Sequence, residues 1–115
     1  MYTLENTHLT GSDVMQVRAA LNLLRSDFAA VLGVHRATVV RWESRGREPL
    51  ALKGLPADLL SALHDVIVVR RHPLDLVRET GRSVQQSLLR GGRLAALRDL
   101  THLATMTRMG WLFAR

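Results

Sequence analysis

Residues 24–49, LRSDFAAVLGVHRATVVRWESRGREP, decide how the rest of the chain is read. An apolar-periodic run from Asp27 to Leu32 ends at Gly33, a residue that accepts the positive φ with which helices commonly stop. A second helical run starts three residues later and covers Arg36 to Ser44. Its 3.6-residue period buries a narrow stripe, Val39 and Trp42, and turns Arg36, Ala37, Val40, Arg41 and Ser44 the other way. The spacing therefore predicts two short helices, Arg25–Leu32 and Arg36–Ser44, joined by a tight glycine turn.

Upstream, Ser12 is the expected N-cap and Asp13 the favourable first-turn acid of a helix over 13–23. Val14, Val17, Leu21 and Leu24 form its apolar stripe. Residues 1–11 show no periodicity and are expected to form a flexible arm. Downstream, Arg45-Gly46-Arg47-Glu48-Pro49 is a turn. Pro56 suits the first helical position of a helix over 56–70, whose apolar residues are Leu59, Leu60, Leu63, Val66 and Ile67. The closing Val66-Ile67-Val68-Val69 favours a strand on propensity, but a buried helix end is expected because no partner strand is visible.

After His72-Pro73, Leu74, Val77, Gly81, Val84 and Leu88 keep helical spacing. Either one helix runs through, with Gly81 permitting close packing, or the chain breaks at Gly81 and restarts at Ser83 with Gln86 completing a capping box. The break is the favoured reading. Gly91-Gly92 is a firm stop. A last helix over 93–106 is expected to bury Leu94, Leu97, Thr101 and Ala104. The tail, with Met109, Trp111, Leu112 and Phe113, is too apolar for free coil and offers oligomerisation anchors, with internal core as the competing reading.

Composition narrows the class. The chain has 115 residues, enough for one modest core, and only five are aromatic, which points to an all-α fold built from Leu, Val and Ala. Net charge is +6, and Lys53 is the one lysine among 16 basic residues. A G- and C-rich coding sequence accounts for arginine over lysine but not for the positive balance. Residues 1–34 hold two basic against three acidic side chains, residues 35–56 five against two, and residues 57–115 nine against five. The positive field thus begins at the second helix of the opening stretch. Arginine's planar fork matches phosphate and guanine edges, so the excess favours a nucleic-acid partner.

Other chemistries find little support. There is no cysteine, so thiolate catalysis, disulfides and Cys-based zinc sites are excluded. No phosphate-binding glycine motif is present, carboxylates are scattered, and His64 and His72 lack a third ligand, so no enzyme, metal or cofactor is expected. The N-terminus shows no signal-peptide pattern and no apolar run approaches membrane-spanning length. A cytoplasmic protein without membrane association is expected. Arg93, Arg98 and Arg108 beside Leu94, Leu97 and Trp111 also fit an amphipathic surface helix, a pattern that core helices share.

Two short helices across a glycine turn are the sequence form of a helix-turn-helix. The stretch 24–49 resembles the Xre family, which includes the Cro and phage-repressor DNA-binding domains. Ala29, Leu32-Gly33-Val34, Val39, Trp42-Glu43 and Pro49 carry the match, and Val17, Arg18 and Leu21 fit the family's first helix. The resemblance extends over about Ser12 to Val66. It implies a DNA-binding domain over 12–70, with residues 71–115 as an oligomerisation or partner-binding element.

By the same resemblance, Arg25, His35, Arg36, Ala37, Val40, Arg41 and Ser44 face DNA. Arg25 stands where the family commonly has a phosphate-binding Gln. Arg36 and Arg41 suit guanine, and Ala37 and Val40 suit thymine methyls. Thr38 and Arg47 are expected on phosphates, and Glu43 is expected to be structural, paired with Arg18 or a backbone donor. Leu24 and His35 replace the family's usual Ser or Thr caps, and the glycine after Trp-Glu is displaced by one, leaving open whether Arg45 or Arg47 meets phosphate. The expected function is a dimeric, repressor-like regulator on an inverted-repeat operator of double-stranded DNA. The alternative is an antitoxin that binds operator DNA with the same motif and a toxin through its C-terminal helices.

Overall fold

The computed structural model describes the backbone of residues 9–113 and the side chains of residues 9–105. Among the described residues the chain is all-α, with six helices. These are α1 (Gly11–Leu21), α2 (Arg25–Leu32), α3 (Arg36–Ser44), α4 (Gly54–His64), α5 (Leu74–Leu89) and α6 (Arg93–Phe113). A π-helical stretch, Asp65–Val69, continues α4.

The two helices of the opening stretch lie where the pattern places them. Gly33 ends α2 at φ +76°, and the Val34 amide reaches back to the Ala29 carbonyl. This satisfies a carbonyl that the helix end would otherwise leave bare. Neither Leu24 nor His35 supplies a side-chain cap, as their apolar and aromatic character implies.

The N-terminus departs from expectation. Thr10, not Ser12, caps α1, with a reciprocal bond between the Thr10 amide and Asp13 Oδ2 (2.9 Å) and between the Asp13 amide and Thr10 Oγ1 (3.2 Å). Leu9 is buried, and its carbonyl accepts the Leu50 amide at 2.8 Å. Residues 9–11 therefore belong to the folded body rather than to an arm, and the remainder of the expected arm lies outside the described residues. The α1 stripe is Val14, Val17 and Leu21. Because the helix stops at Asn22, Leu23 turns inward and Leu24 is left exposed.

In the C-terminal half, Pro56 sits in the first turn of α4 but two residues inside its start, and Val66 and Ile67 are buried in the π-helical stretch. No break occurs at Gly81. Helix α5 runs through it because the glycine is seated against the Leu21 carbonyl, where a Cβ would overlap that oxygen. Ser83 consequently starts no new helix. Its hydroxyl donates across the hairpin to Asp99 Oδ2 (2.9 Å), as Ser87 does at 3.4 Å.

That contact helps set the rotation of α6, which differs from the expected one. Ala96, Leu100, Leu103 and Ala104 are buried, Leu97 is half-buried, and Leu94 and Thr101 are exposed. Helix α5 crosses α1 and pairs with α6, which also packs on α2 and α4. One core cluster accordingly joins Leu21, Phe28 and Val39 from the first three helices to Leu60, Val77, Val84 and Leu100 from the last three.

The Gly81 contact makes the effect of a single methyl group predictable in sign. An unobstructed helical Gly→Ala change stabilises by up to ~1 kcal/mol. Gly81→Ala is expected to destabilise by roughly 1–3 kcal/mol instead, because α1 and α5 must separate to admit the methyl group. Urea denaturation that finds the variant as stable as the parent would show that the helices do not approach this closely.

Candidate nucleic-acid interface

Helix α3 is held on one side and open on the other, and Glu43 does the holding. It lies on α3 with its side chain only 2% exposed. Its carboxylate accepts Arg18 Nε from α1 at 2.6 Å and Arg25 Nε from α2 at 2.9 Å. Arg18 Nη2 adds a second bond at 3.1 Å, and Nη1 donates to the Leu23 carbonyl at 2.9 Å. One carboxylate therefore ties three helices together through charge-assisted bonds. Burial alone would raise its pKa. The hydrogen bonds and positive charges of Arg18 and Arg25 outweigh that, and the carboxyl lies below its ordinary value of 4.5.

Apolar contacts complete the support. Val39 is fully buried, Trp42 is half-buried against the core, and Ala29 is a small buried residue on α2. The opposite face of α3 is open. His35, Arg36, Ala37, Val40, Arg41 and Ser44 are exposed, and Thr38 is half-buried. Arg36 and Arg41 have no ion-pair partner among the described residues, and the only acidic side chain on the helix is the buried Glu43. The face thus presents unneutralised arginines beside two small apolar side chains, a composition suited to a groove lined by phosphates, guanine edges and thymine methyls.

The remaining candidates divide according to their partners. Arg25 is 40% exposed but has its Nε committed to Glu43, so it both braces α3 and presents charge at the surface. Arg45 pairs with Glu48 at 2.7 Å, whereas Arg47 is exposed and pairs with no described carboxylate. This distinguishes the two arginines that the displaced glycine had left equivalent. Ser44 turns its hydroxyl back to the Arg41 carbonyl (2.8 Å). The side chains of Met109, Trp111, Leu112 and Phe113 lie outside the described ones.

The dual engagement of Glu43 was only half foreseen, since Arg18 was the expected partner and Arg25 was not. Its register offers the one available clue, an arginine opening α2 on the side where α3 ends. Among the described residues no group of His, Asp and Glu is arranged to hold a metal ion. His64 instead lies 3.3 Å from Asp13 Oδ1.

Removal of the Glu43 charge has an expected pH signature. The native carboxyl binds its proton less readily than the unfolded one. Its contribution is thus complete above pH 4.5 and is lost as pH falls through the lowered value. Glu43→Gln should cost roughly 3 kcal/mol at neutral pH, towards the low end for a broken buried pair because Arg25 can turn to water. The loss should shrink on acidification. Urea titrations at neutral pH and below pH 4.5 check this, and a loss that stays constant on acidification would contradict it.

Residues 14–51, which run from inside α1 through α3 and the turn after it, match the family model described as helix-turn-helix, of the Xre, Cro and CI-like kind. No curated protein and no solved structure gives a significant match.

Proposed function

We propose that the protein, whose residues 14–51 match a helix-turn-helix family model, is a repressor-like, sequence-specific transcriptional regulator. It binds an inverted-repeat operator as a dimer, with α3 in the major groove. The observation that carries this reading is the open face of α3, where Arg36 and Arg41 stand exposed without an ion-pair partner among the described residues, beside Ala37 and Val40, Arg41 reaching only the Thr38 hydroxyl at 3.5 Å. Arg36 and Arg41 read guanine, and Ala37 and Val40 meet thymine methyls. His35 and Ser44 line the same face. Arg25, Thr38 and Arg47 contact phosphates and set the register without reading bases. The protein acts in the cytoplasm on double-stranded DNA and needs no cofactor.

A dimer places two such faces one helical turn apart, ~34–36 Å. Residues 106–115 supply the interface in this reading, with Met109, Trp111, Leu112 and Phe113 as anchors. The antitoxin reading keeps the same DNA contacts and assigns a toxin to the C-terminal helices. It is favoured by the surface of α6 that carries the exposed Leu94, the half-buried Leu97, Arg98, Thr101 and His102. Co-purification with the product of a neighbouring gene separates the two.

Selection of bound sequences from a random duplex pool should return a two-fold symmetric site. On that site Arg41→Ala is expected to cost ~1–3 kcal/mol and to relax preference at one base pair per half-site. Arg47→Ala should weaken all sequences alike and lower the salt slope by about one unit. Equal weakening of every sequence by Arg41→Ala would make Arg41 a phosphate contact.

Deletion of residues 106–115 should leave a folded monomer in sedimentation experiments. An unchanged dimer would move the interface elsewhere.

A further inference from the structure

The turn between α5 and α6, Arg90-Gly91-Gly92-Arg93, lies beside the turn between α2 and α3. Arg93 makes the connection. Its Nε donates to the Ala30 carbonyl at 3.0 Å, across 63 residues of sequence. Ala30 is in the last turn of α2, where its carbonyl has only the long bond from the Gly33 amide (3.4 Å) and the negative helix end favours a cation. The rest of the guanidinium lies over Gly33, and a Cβ at that position would collide with Arg93 Nη2. Gly33 thus has two reasons to be glycine, its positive φ and the arginine seated on it.

This anchoring leaves the outer part of the arginine unused. Arg93 is exposed, and its terminal nitrogens have no bond to any other described group. Arg90, across the glycine pair, is also exposed and forms no ion pair among the described residues. Of the acidic residues on the adjoining helices, Asp27 is engaged by Gln85 and Asp99 by Ser83 and Ser87, while Asp75 and Glu79 sit in the first two turns of α5, at the end of that helix away from the turn. The result is a cation oriented through one nitrogen, with no carboxylate on the others.

Its location makes it useful. Helix α3 begins at Arg36, three residues after Gly33, so the two backbone points lie within about 11 Å by chain length alone. A major groove is ~12 Å wide and is walled by phosphates, and a helix inserted in it has its leading turn beside one wall.

We infer that the α5–α6 turn is a second DNA contact, in which Arg93 and Arg90 hold a phosphate of the strand flanking the start of α3. The contact adds affinity and salt dependence and reads no base. It rests on the placement of α3 in the major groove and makes the C-terminal helices part of the DNA-binding surface. The exposed Leu89 and Leu94 border the same turn, and a protein contact there is the competing outcome.

The test uses the full chain and a selected operator duplex, with binding followed by fluorescence anisotropy over a salt series. Arg90→Gln, Arg93→Gln and the double variant are compared with Arg78→Gln, the same charge change at an exposed position elsewhere on α5. The double variant is expected to lower the slope of log K against log salt by about 1–2 units with base preference unchanged. Arg78→Gln is expected to keep the parental slope. Arg90, which braces nothing, decides the matter if Arg93→Gln proves unstable on melting.

An unchanged slope in Arg90→Gln and the double variant overturns the inference. So does an equal effect of Arg78→Gln, or a change of oligomeric mass without a change of slope. If Arg41→Ala still relaxes preference at one base pair per half-site in those cases, the function proposed above stands and only this contact fails. A parent indifferent to every duplex at low salt defeats both.

Discussion

The carboxylate of Glu43 is the constraint on which the placement of α3 depends. Helix α3 has nine residues, too few to persist alone in water, and its N-cap, His35, makes no side-chain cap bond. Its direction is imposed by neighbours. Val39 and Trp42 hold it by apolar contact, and Glu43 adds directional bonds to α1 and α2. The charge that would spoil a DNA-facing surface is thereby placed on the inward side. There it consumes the positive charge of Arg18 and part of that of Arg25, and leaves Arg36 and Arg41 unneutralised.

Helix α1 has two tasks. One side supports α3 through Arg18 and through Gly11 against the Trp42 carbonyl, and its C-terminal end receives α5 at Leu21. The C-terminal hairpin consequently shares a core with the helix-turn-helix segment rather than hanging from it. Arg93 on the Ala30 carbonyl and Gln85 on Asp27 add polar links between that hairpin and α2. A change in the packing of α5 and α6 therefore has a short physical route to the turn that precedes α3.

What was legible in the sequence follows the range of the signals involved. The bounds of α2 and α3 could be read because Gly33, the buried Val39 and the polar outer face act within one or two helical turns. The inward role of Glu43 could be read because a carboxylate is a poor neighbour for phosphate. The continuity of α5 depends instead on Leu21, sixty positions away, whose carbonyl converts a helix-weakening glycine into a packing requirement. The rotation of α6 was equally hidden. Leu94 and Leu97 are as apolar as Leu100 and Leu103, and the bonds to Asp99 and Ala30 that favour one phase join distant positions. Ser12 and Thr10 are equivalent caps by residue type. The pairing of Leu9 and Thr10 with the chain at Pro49 and Leu50 selects Thr10.

That pairing also bears on how the helix-turn-helix segment is joined to its surroundings. The chain enters at Thr10 and leaves at Pro49 along a single antiparallel bridge, with the Ser12 amide bonded to the Gly46 carbonyl beside it. A unit whose two ends meet at one seam can be spliced behind different leaders or ahead of different helical companions without its inner angles being redrawn. The hairpin now covering α1 is, in that light, one cladding among those the same three-helix cassette has the connectivity to accept.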